Sequence, residues 1–150
     1  MRVVIQRVSS ASVNIDGKKF SAINAGLLLL VGFEESDKGE EIEWLCNKIA
    51  NLRIFADSED KMNLSVMDVK GEILSVSQFT LFASTKKGNR PSYIRSANPE
   101  IAIPLYDQFN IRLAEITGKK VQTGIFGAMM DVALINDGPV TIVMDTRNKE

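Results

Sequence analysis

The sequence contains no histidine and a single cysteine, Cys46, among its 150 residues. Without histidine the chain cannot build a Ser-His-Asp or Cys-His catalytic arrangement, and histidine-ligated zinc is excluded. One cysteine cannot form an internal disulfide or a multi-thiolate metal site, and this scarcity favours a reducing compartment. Any catalysis would therefore have to use hydroxyls, carboxylates, lysines, backbone groups or the substrate itself.

A strong charge of one sign and long hydrophobic runs are also missing. The formal net charge is −1, so a nucleic-acid site would have to be a local basic patch on a neutral body. The longest apolar run, at 27–31, is too short to span a bilayer. The opening MRVVIQRV is interrupted by Gln6 and Arg7 and is not typical of a signal peptide. We therefore expect a cytoplasmic protein without a membrane partner.

The hydrophobic pattern predicts one α+β domain with six or more strands and two main helices. Alternating residues up to Ile15, followed by Asp16-Gly17, indicate a hairpin. The apolar stretch 27–33 is typical of a strand that is buried on both faces. A further strand is predicted over 72–81.

Two segments have helical spacing. Apolar residues within 39–52 recur at the period of an amphipathic helix. A second helix is predicted to begin at Asn98 as N-cap, with Pro99 in its first position, and to end at Gly118. Pro104 lies inside it, so we expect a separate or kinked first turn.

The predicted strand 72–81 ends in polar side chains that include Ser77, Gln78 and Thr80. A hydroxyl there could act as nucleophile or hydrogen-bond donor, and backbone N–H groups at a strand end could hold an oxyanion. The alternative is an ordinary strand with hydroxyls on its outer face.

A second candidate is Asn136-Asp137-Gly138-Pro139, where proline interrupts two alternating segments. An X-Pro bond can be cis and would then direct the flanking carbonyls unusually. The alternative is a simple turn between two strands.

The segment 83–98 shows no sustained period and is predicted to be a loop. Its cations Lys86, Lys87 and Arg90 could receive phosphates, although a solvated loop is the simpler interpretation. The apolar stretch 124–130 could line a pocket or belong to the core. Cys46 falls on the apolar stripe of the first helix, which indicates packing.

Several motifs together resemble the D-aminoacyl-tRNA deacylase family. They are QRV at 6–8, NLRIF at 51–55, KMNLS at 61–65, SQFTL at 77–81, GAMM at 127–130 and NDGPVT at 136–141. Their order and spacing are more specific than any one of them alone. The resemblance covers residues 1–145 as one domain and leaves 146–150 as a short polar tail.

The resemblance implies a cytoplasmic homodimer with a β-barrel-like sheet flanked by helices. Its reaction would be hydrolysis of the ester in D-aminoacyl-tRNA, with tRNA as partner, no DNA, and no metal or cofactor. Glycine mischarged onto alanine tRNA would be cleaved as well. Such an enzyme is a carboxylic ester hydrolase.

The same resemblance assigns residue roles. Ser77, Gln78, Phe79 and Thr80 would form the pocket for the aminoacylated adenosine, and Ala128 and Met129 would lie beside it. A Gly138–Pro139 cis pair would enter the partner's pocket and exclude L-amino acids, with Arg7 fixing that segment. Contacts with tRNA would come from Lys86, Lys87 and Arg90.

This chemistry is compatible with a chain that lacks histidine. An aminoacyl ester is already activated, and the ribose 2′-OH can assist while backbone N–H groups stabilise the oxyanion. We expect Thr80 to position the substrate, with a nucleophilic role as the alternative. Two rival functions remain: an RNA-binding module that uses Phe79 or Tyr93, and an unrelated small-molecule hydrolase.

Overall fold

A computed structural model describes residues 1–149, which fold around one mixed β-sheet. The strands are β1 Arg2–Ile15, β2 Lys18–Ile23, β3 Gly26–Gly32, β4 Phe55–Ala56, β5 Met62–Leu64, β6 Glu72–Ser77, β7 Gln122–Thr123 and β8 Asp131–Asp145. The helices of this described part are α1 Gly39–Asn51, α2 Pro99–Thr117 and the short 3₁₀ helix Phe79–Phe82. Strands β4 and β5 form a small separate hairpin.

Strand β1 is the spine of the large sheet. Its first half pairs antiparallel with β3 and its second half with β2, while β8 runs antiparallel along the opposite edge. Strand β6 pairs in parallel with β3, and β7 pairs in parallel with β6. The Ser21 hydroxyl on β2 donates to the Thr123 carbonyl on β7 over 2.8 Å, so the sheet curls until its ends meet. This nearly closed mixed sheet with its two α-helices confirms the predicted barrel-like α+β fold.

Two apolar clusters fill the fold, and β3 contributes to both. Leu27 and Leu29 belong to the cluster that α1 and α2 cover, whereas Leu28 belongs to a cluster whose buried members are all strand residues. Both faces of β3 are therefore buried, as its continuous apolar run predicts. Cys46 lies in the first cluster, and burial raises the pKa of its thiol to about 12. A thiol kept neutral in this way packs rather than reacts.

Local signals define both ends of α2. The Asn98 side chain accepts a hydrogen bond from the Ile101 amide, and Gly118 closes the helix at φ +66°. The expected separate first turn is wrong, because one helix runs through Pro104. The proline removes one backbone donor, but the Asn98 cap and the buried Ala102 hold the first turn in place.

The amino group of Met1 lies 2.6 Å from the Asp37 carboxylate and 2.7 Å from the Thr146 hydroxyl. Both Met1 and Asp37 have fully buried side chains, which makes this an internal ion pair. The division into a domain at 1–145 and a tail at 146–150 stays a prediction, and Glu150 lies outside the described residues. Within 1–149, no helix is long and apolar enough to cross a membrane.

Candidate functional site

The chain turns sharply where β6 ends. The strand predicted over 72–81 stops at Ser77, and the residues after Gln78 form the 3₁₀ helix instead. The Gln78 amide donates to the Val31 carbonyl over 2.7 Å, which ties the turn to β3. A Cβ atom at Gly32 would lie 2.9 Å from the Gln78 carbonyl oxygen, so glycine permits this close approach. Residues 77–80, predicted as the end of a strand, therefore form a turn that packs against β3, and we call this turn the polar wall.

This wall borders an open cavity of about 440 Å³. The predicted pocket residues Ser77, Gln78, Phe79, Thr80, Ala128 and Met129 all line it. The remaining lining residues are Val31, Gly32, Phe33, Val76, Ala97, Ala102, Phe126, Gly127, Met130 and Val132. The structure thus brings together two segments that are about fifty residues apart in the chain.

The polar groups of the cavity come from the 77–80 turn. The Gln78 side-chain amide donates to the Thr80 hydroxyl oxygen, which fixes the orientation of both side chains. Among the described residues that line the cavity, none carries an ionisable side chain. A general base for Thr80 is therefore not supplied by this wall.

Backbone amides complete the polar wall. The N–H groups of Phe79 and Thr80 donate no hydrogen bond to any residue in the part of the chain that the structure describes. They stand at the start of a 3₁₀ helix, where N–H groups lack intrahelical partners. Unpaired amides at such a position suit an oxygen that gains negative charge.

The opposite wall is apolar and rests on a buried tyrosine. Phe126 packs against Tyr106 with 6.2 Å between ring centroids. The Tyr106 hydroxyl donates to the Ser75 carbonyl over 2.8 Å, and burial raises the pKa of this phenol. Met129 at the rim is almost fully exposed. The hydrogen bond to Ser75 therefore links the packing partner of Phe126 to β6, the strand that ends at the polar wall.

The predicted turn at Asn136–Pro139 is wrong, because β8 is one continuous strand with a bulge. Arg7 on β1 stands opposite four residues of β8, at 137–140. The Asn136 side chain closes the bulge: its carbonyl oxygen accepts from the Val140 amide over 3.1 Å, and its NH₂ group donates to Thr141 over 2.9 Å. The Gly138–Pro139 peptide bond inside the bulge is cis.

Arg7 packs directly against this bulge. Its Nε donates to the Asp137 carbonyl over 3.1 Å, and Nη1 donates to the Ile54 carbonyl over 2.6 Å. Gly138 has φ +128°, and a Cβ atom there would lie 2.8 Å from Arg7 Nη2. Gly138, Pro139 and Arg7 do not line the cavity of their own chain.

The cations of the 83–98 loop lie on the surface. Lys86, Lys87 and Arg90 are exposed and form no ion pair with another residue of 1–149. The loop joins the wall at Ser96, whose hydroxyl donates to the Phe79 carbonyl over 2.8 Å.

Sequence reasoning missed most of the apolar lining and the role of Asn136. Residues such as Val31, Ala97 and Val132 have the same character as core residues, so no signal separates them. Asn136 gave a signal, since asparagine side chains commonly bond to nearby backbone groups, but its position suggested a turn.

Comparisons with known proteins agree over the whole chain. A family model described as D-Tyr-tRNA(Tyr) deacylase matches residues 4–145. The D-aminoacyl-tRNA deacylase of Flavobacterium psychrophilum is 65% identical over 150 residues, and the alignment covers 100% of both chains. The corresponding protein of Bacteroides fragilis is 63% identical with the same coverage.

Solved structures give the same fold. The c-Myc DNA Unwinding Element Binding Protein matches with a TM-score of 0.91 and 41% identity, over 97% of this chain and 98% of its own. A probable eukaryotic D-amino acid tRNA deacylase matches with a TM-score of 0.82 and 18% identity, over 95% and 97%. At that identity the second likeness concerns the fold.

Proposed function

The chain belongs to the D-Tyr-tRNA(Tyr) deacylase family, and from this premise we propose that it hydrolyses the ester between a D-amino acid and its tRNA. It is thus a hydrolase of D-aminoacyl-tRNA whose partner is the aminoacylated 3′ end. The observation that carries this proposal is the cavity wall Ser77–Thr80, which offers hydroxyls, an amide and free N–H groups, and no ionisable side chain among the described lining residues.

The reaction would be assisted by the substrate. A water molecule attacks the ester carbonyl, and the Phe79 and Thr80 amides stabilise the oxyanion that forms. The ribose 2′-OH, next to the ester, accepts the proton of the attacking water and passes one to the departing ribose oxygen. The products are a free D-amino acid and a tRNA with a free 3′ end. Thr80 orients the substrate, because no ionisable side chain among the described lining residues could take its proton and the Gln78 side chain fixes its hydroxyl.

Chiral selection would come from Gly138 and Pro139 of a second copy. Gly138 is six residues from Val132, which lines the cavity, or roughly 15–20 Å along β8. The pair would therefore reach the cavity of another chain and not its own. Main chain held by Arg7 and Asn136 makes a wall that cannot rotate away from an L side chain. Glycine has no side chain to collide, so glycyl-tRNA(Ala) would be cleaved too.

The homodimer has independent support in β8. This 15-residue strand pairs with β1 along one side, and its exposed residues include Ile135 and Val143. A long edge strand with exposed apolar side chains favours association with another copy. A cytoplasmic location, the absence of a DNA partner and independence from cofactors remain part of the proposal.

Incubation with three substrates tests the reaction: D-tyrosyl-tRNA, L-tyrosyl-tRNA and glycyl-tRNA(Ala). We expect release of D-tyrosine and glycine and retention of L-tyrosine. Binding without release would favour the RNA-binding module, and neither binding nor release would favour an unrelated hydrolase. Because one solved relative is named for a DNA element, a gel shift with duplex DNA belongs to the same test, and tight binding there would contradict the absence of a DNA partner.

A further inference from the structure

Three exposed apolar side chains lead from the cavity wall onto the 83–98 loop. Phe79, Tyr93 and Ile94, which we call the lip, have exposed fractions of 55%, 39% and 93%. The Phe79 and Tyr93 rings meet edge to face with 5.1 Å between centroids. Large apolar side chains in such exposed positions commonly mark a binding surface when they occur together.

The lip is held in place by the structure around it. Ser84 and Ser92 exchange two backbone hydrogen bonds, of 2.8 and 3.0 Å, which close the 83–98 loop. The Ser96 amide donates to the Tyr93 carbonyl over 2.9 Å, and Arg95 pairs with Glu34 over 2.6 Å. Tyr93 and Ile94 are therefore directed outward by an anchored segment.

Charge is segregated around the lip. Residues 81–99 contain four cations, Lys86, Lys87, Arg90 and Arg95, and no Asp or Glu, in a chain whose net charge is −1. Arg95 is engaged by Glu34, which leaves the other three for an outside anion. Aromatic side chains beside unpaired cations are the features that bind single-stranded nucleic acid, through base stacking and phosphate contacts.

We propose that the lip binds the bases of the unpaired nucleotides that precede the terminal adenosine of tRNA. This inference rests on the proposed function, because it places the terminal adenosine in the cavity. Phe79 lines the cavity and Tyr93 packs on Phe79, so the next nucleotides of the strand emerge over Tyr93 and Ile94. Their phosphates then face Lys86, Lys87 and Arg90.

Substrates of different length test the proposal. The assay compares hydrolysis by the wild type, Ile94→Ser and Tyr93→Ala. Its substrates are the D-tyrosyl esters of tRNA, of the trinucleotide CCA and of adenosine alone. The matched control is Ile111→Ser, an exposed isoleucine on α2 outside the cavity. Loss of a base contact, by packing on Ile94 or stacking on Tyr93, predicts that kcat/KM for the tRNA and CCA esters falls about tenfold in the lip variants. The adenosine ester is too short to reach Ile94, so Ile94→Ser should change its rate less than twofold.

An aromatic replacement adds a gain-of-function arm. Ile94→Trp should lower the KM for the CCA ester, because an aromatic ring stacks on a base and an isoleucine side chain does not. Equal losses on all three esters would overturn the proposal and make the lip part of the reacting cavity. Unchanged rates on all three would also overturn it.

Light scattering and CCA titration distinguish base binding by the lip from a contact between two copies of the chain. If the lip variants change the molar mass in light scattering, a second copy covers the lip and the proposal fails. Titration with unesterified CCA reports binding without catalysis: weaker binding by Ile94→Ser supports base binding by the lip even where the wild type hydrolyses no ester. If the wild type binds CCA but hydrolyses no ester, the proposed function fails and base binding by the lip does not. Unaltered CCA affinity would reject base binding by the lip.

Discussion

Arg7 holds Asp137 at two points, through the carbonyl at 3.1 Å and the carboxylate at 3.2 Å. A third contact, to the Ile54 carbonyl, joins the same guanidinium to the segment before β4. Since the planar guanidinium presents several donors in a fixed geometry, one side chain positions the bulge from two directions.

Replacing Arg7 with lysine should lower activity while the protein still folds. Lysine keeps the charge but cannot reach both carbonyls, and a hydrogen bond from a charged donor is worth about 1.5–3 kcal/mol. We expect kcat/KM for D-tyrosyl-tRNA to fall at least tenfold. Arg112→Lys, which changes an exposed pair with Glu43, is the control. Equal activity of the Arg7→Lys and wild-type proteins would contradict the assigned role.

Gly138→Ala should disturb the bulge. A Cβ atom would lie 2.8 Å from both Arg7 Nη2 and Val140 Cγ2, at a φ that L residues rarely adopt. We expect a lower Tm and a loss of most activity on D-tyrosyl-tRNA. Gly88→Ala is matched in its positive φ, but its Cβ would meet nothing within 4 Å, so it should retain activity. Similar behaviour of the two variants would show that crowding at Gly138 is unimportant.

Thr80→Ala should retain measurable turnover. If Thr80 only positions the substrate, its loss removes about one hydrogen bond, or 0.5–1.5 kcal/mol, and lowers kcat up to about tenfold. Single-turnover hydrolysis of D-tyrosyl-tRNA measures this. A covalent aminoacyl group on Thr80, seen by mass spectrometry during turnover, would establish a nucleophile instead.

Neutralising Lys86, Lys87 and Arg90 to glutamine should reduce the salt dependence of tRNA binding. Each lost contact with a single-stranded phosphate lowers the slope of log K against log salt by about 0.7. The effect should be the same for all tRNAs, because phosphates carry no sequence information. A triple variant at the exposed Lys18, Lys19 and Lys48 should change the slope less. An unaltered slope in the Lys86, Lys87 and Arg90 variant would mean that these residues do not contact tRNA phosphates.

The Arg2–Asp145 pair should contribute to stability at neutral pH. Burial is the largest single influence and opposes the charge, but the Arg2 hydrogen bond at 2.7 Å, the Arg147 amide and the nearby positive charges together outweigh it, so the pKa of Asp145 is lowered. Because the folded state binds this proton less readily, the stabilisation is present above the unfolded pKa of about 4. It is lost as the pH falls towards the lower folded pKa.

Urea unfolding of Asp145→Asn between pH 3 and 7 checks this sign. The variant should be less stable than the wild type at neutral pH, with a gap that narrows in acid. Asp107→Asn, on the exposed side of α2, should show no such trend. A constant gap at every pH would mean that the carboxylate charge is not the cause.

Local chemistry accounts for the parts of the fold that could be predicted from sequence. Asp16 and Gly17 adopt positive φ in the hairpin, and Asn98 and Gly118 end α2, because each acts on backbone groups a few residues away. The end of β6 could not be predicted, since it depends on the Gln78–Val31 contact between distant segments. The same holds for the site: its polar turn has a sequence signal, whereas its apolar lining resembles the core.

The unequal pairing of β1 and β8 locks the two strands against sliding. A long regular antiparallel pair can shift by two residues and keep its apolar side chains on the same face. Here one residue, Arg7, stands opposite four, so any shift would separate the guanidinium from Asp137. The Asn136 hydrogen bonds to Val140 and Thr141 lie within β8 and keep the bulge at this place in the strand. The bulge therefore permits a single register of β1 against β8, the longest strand pair in the sheet.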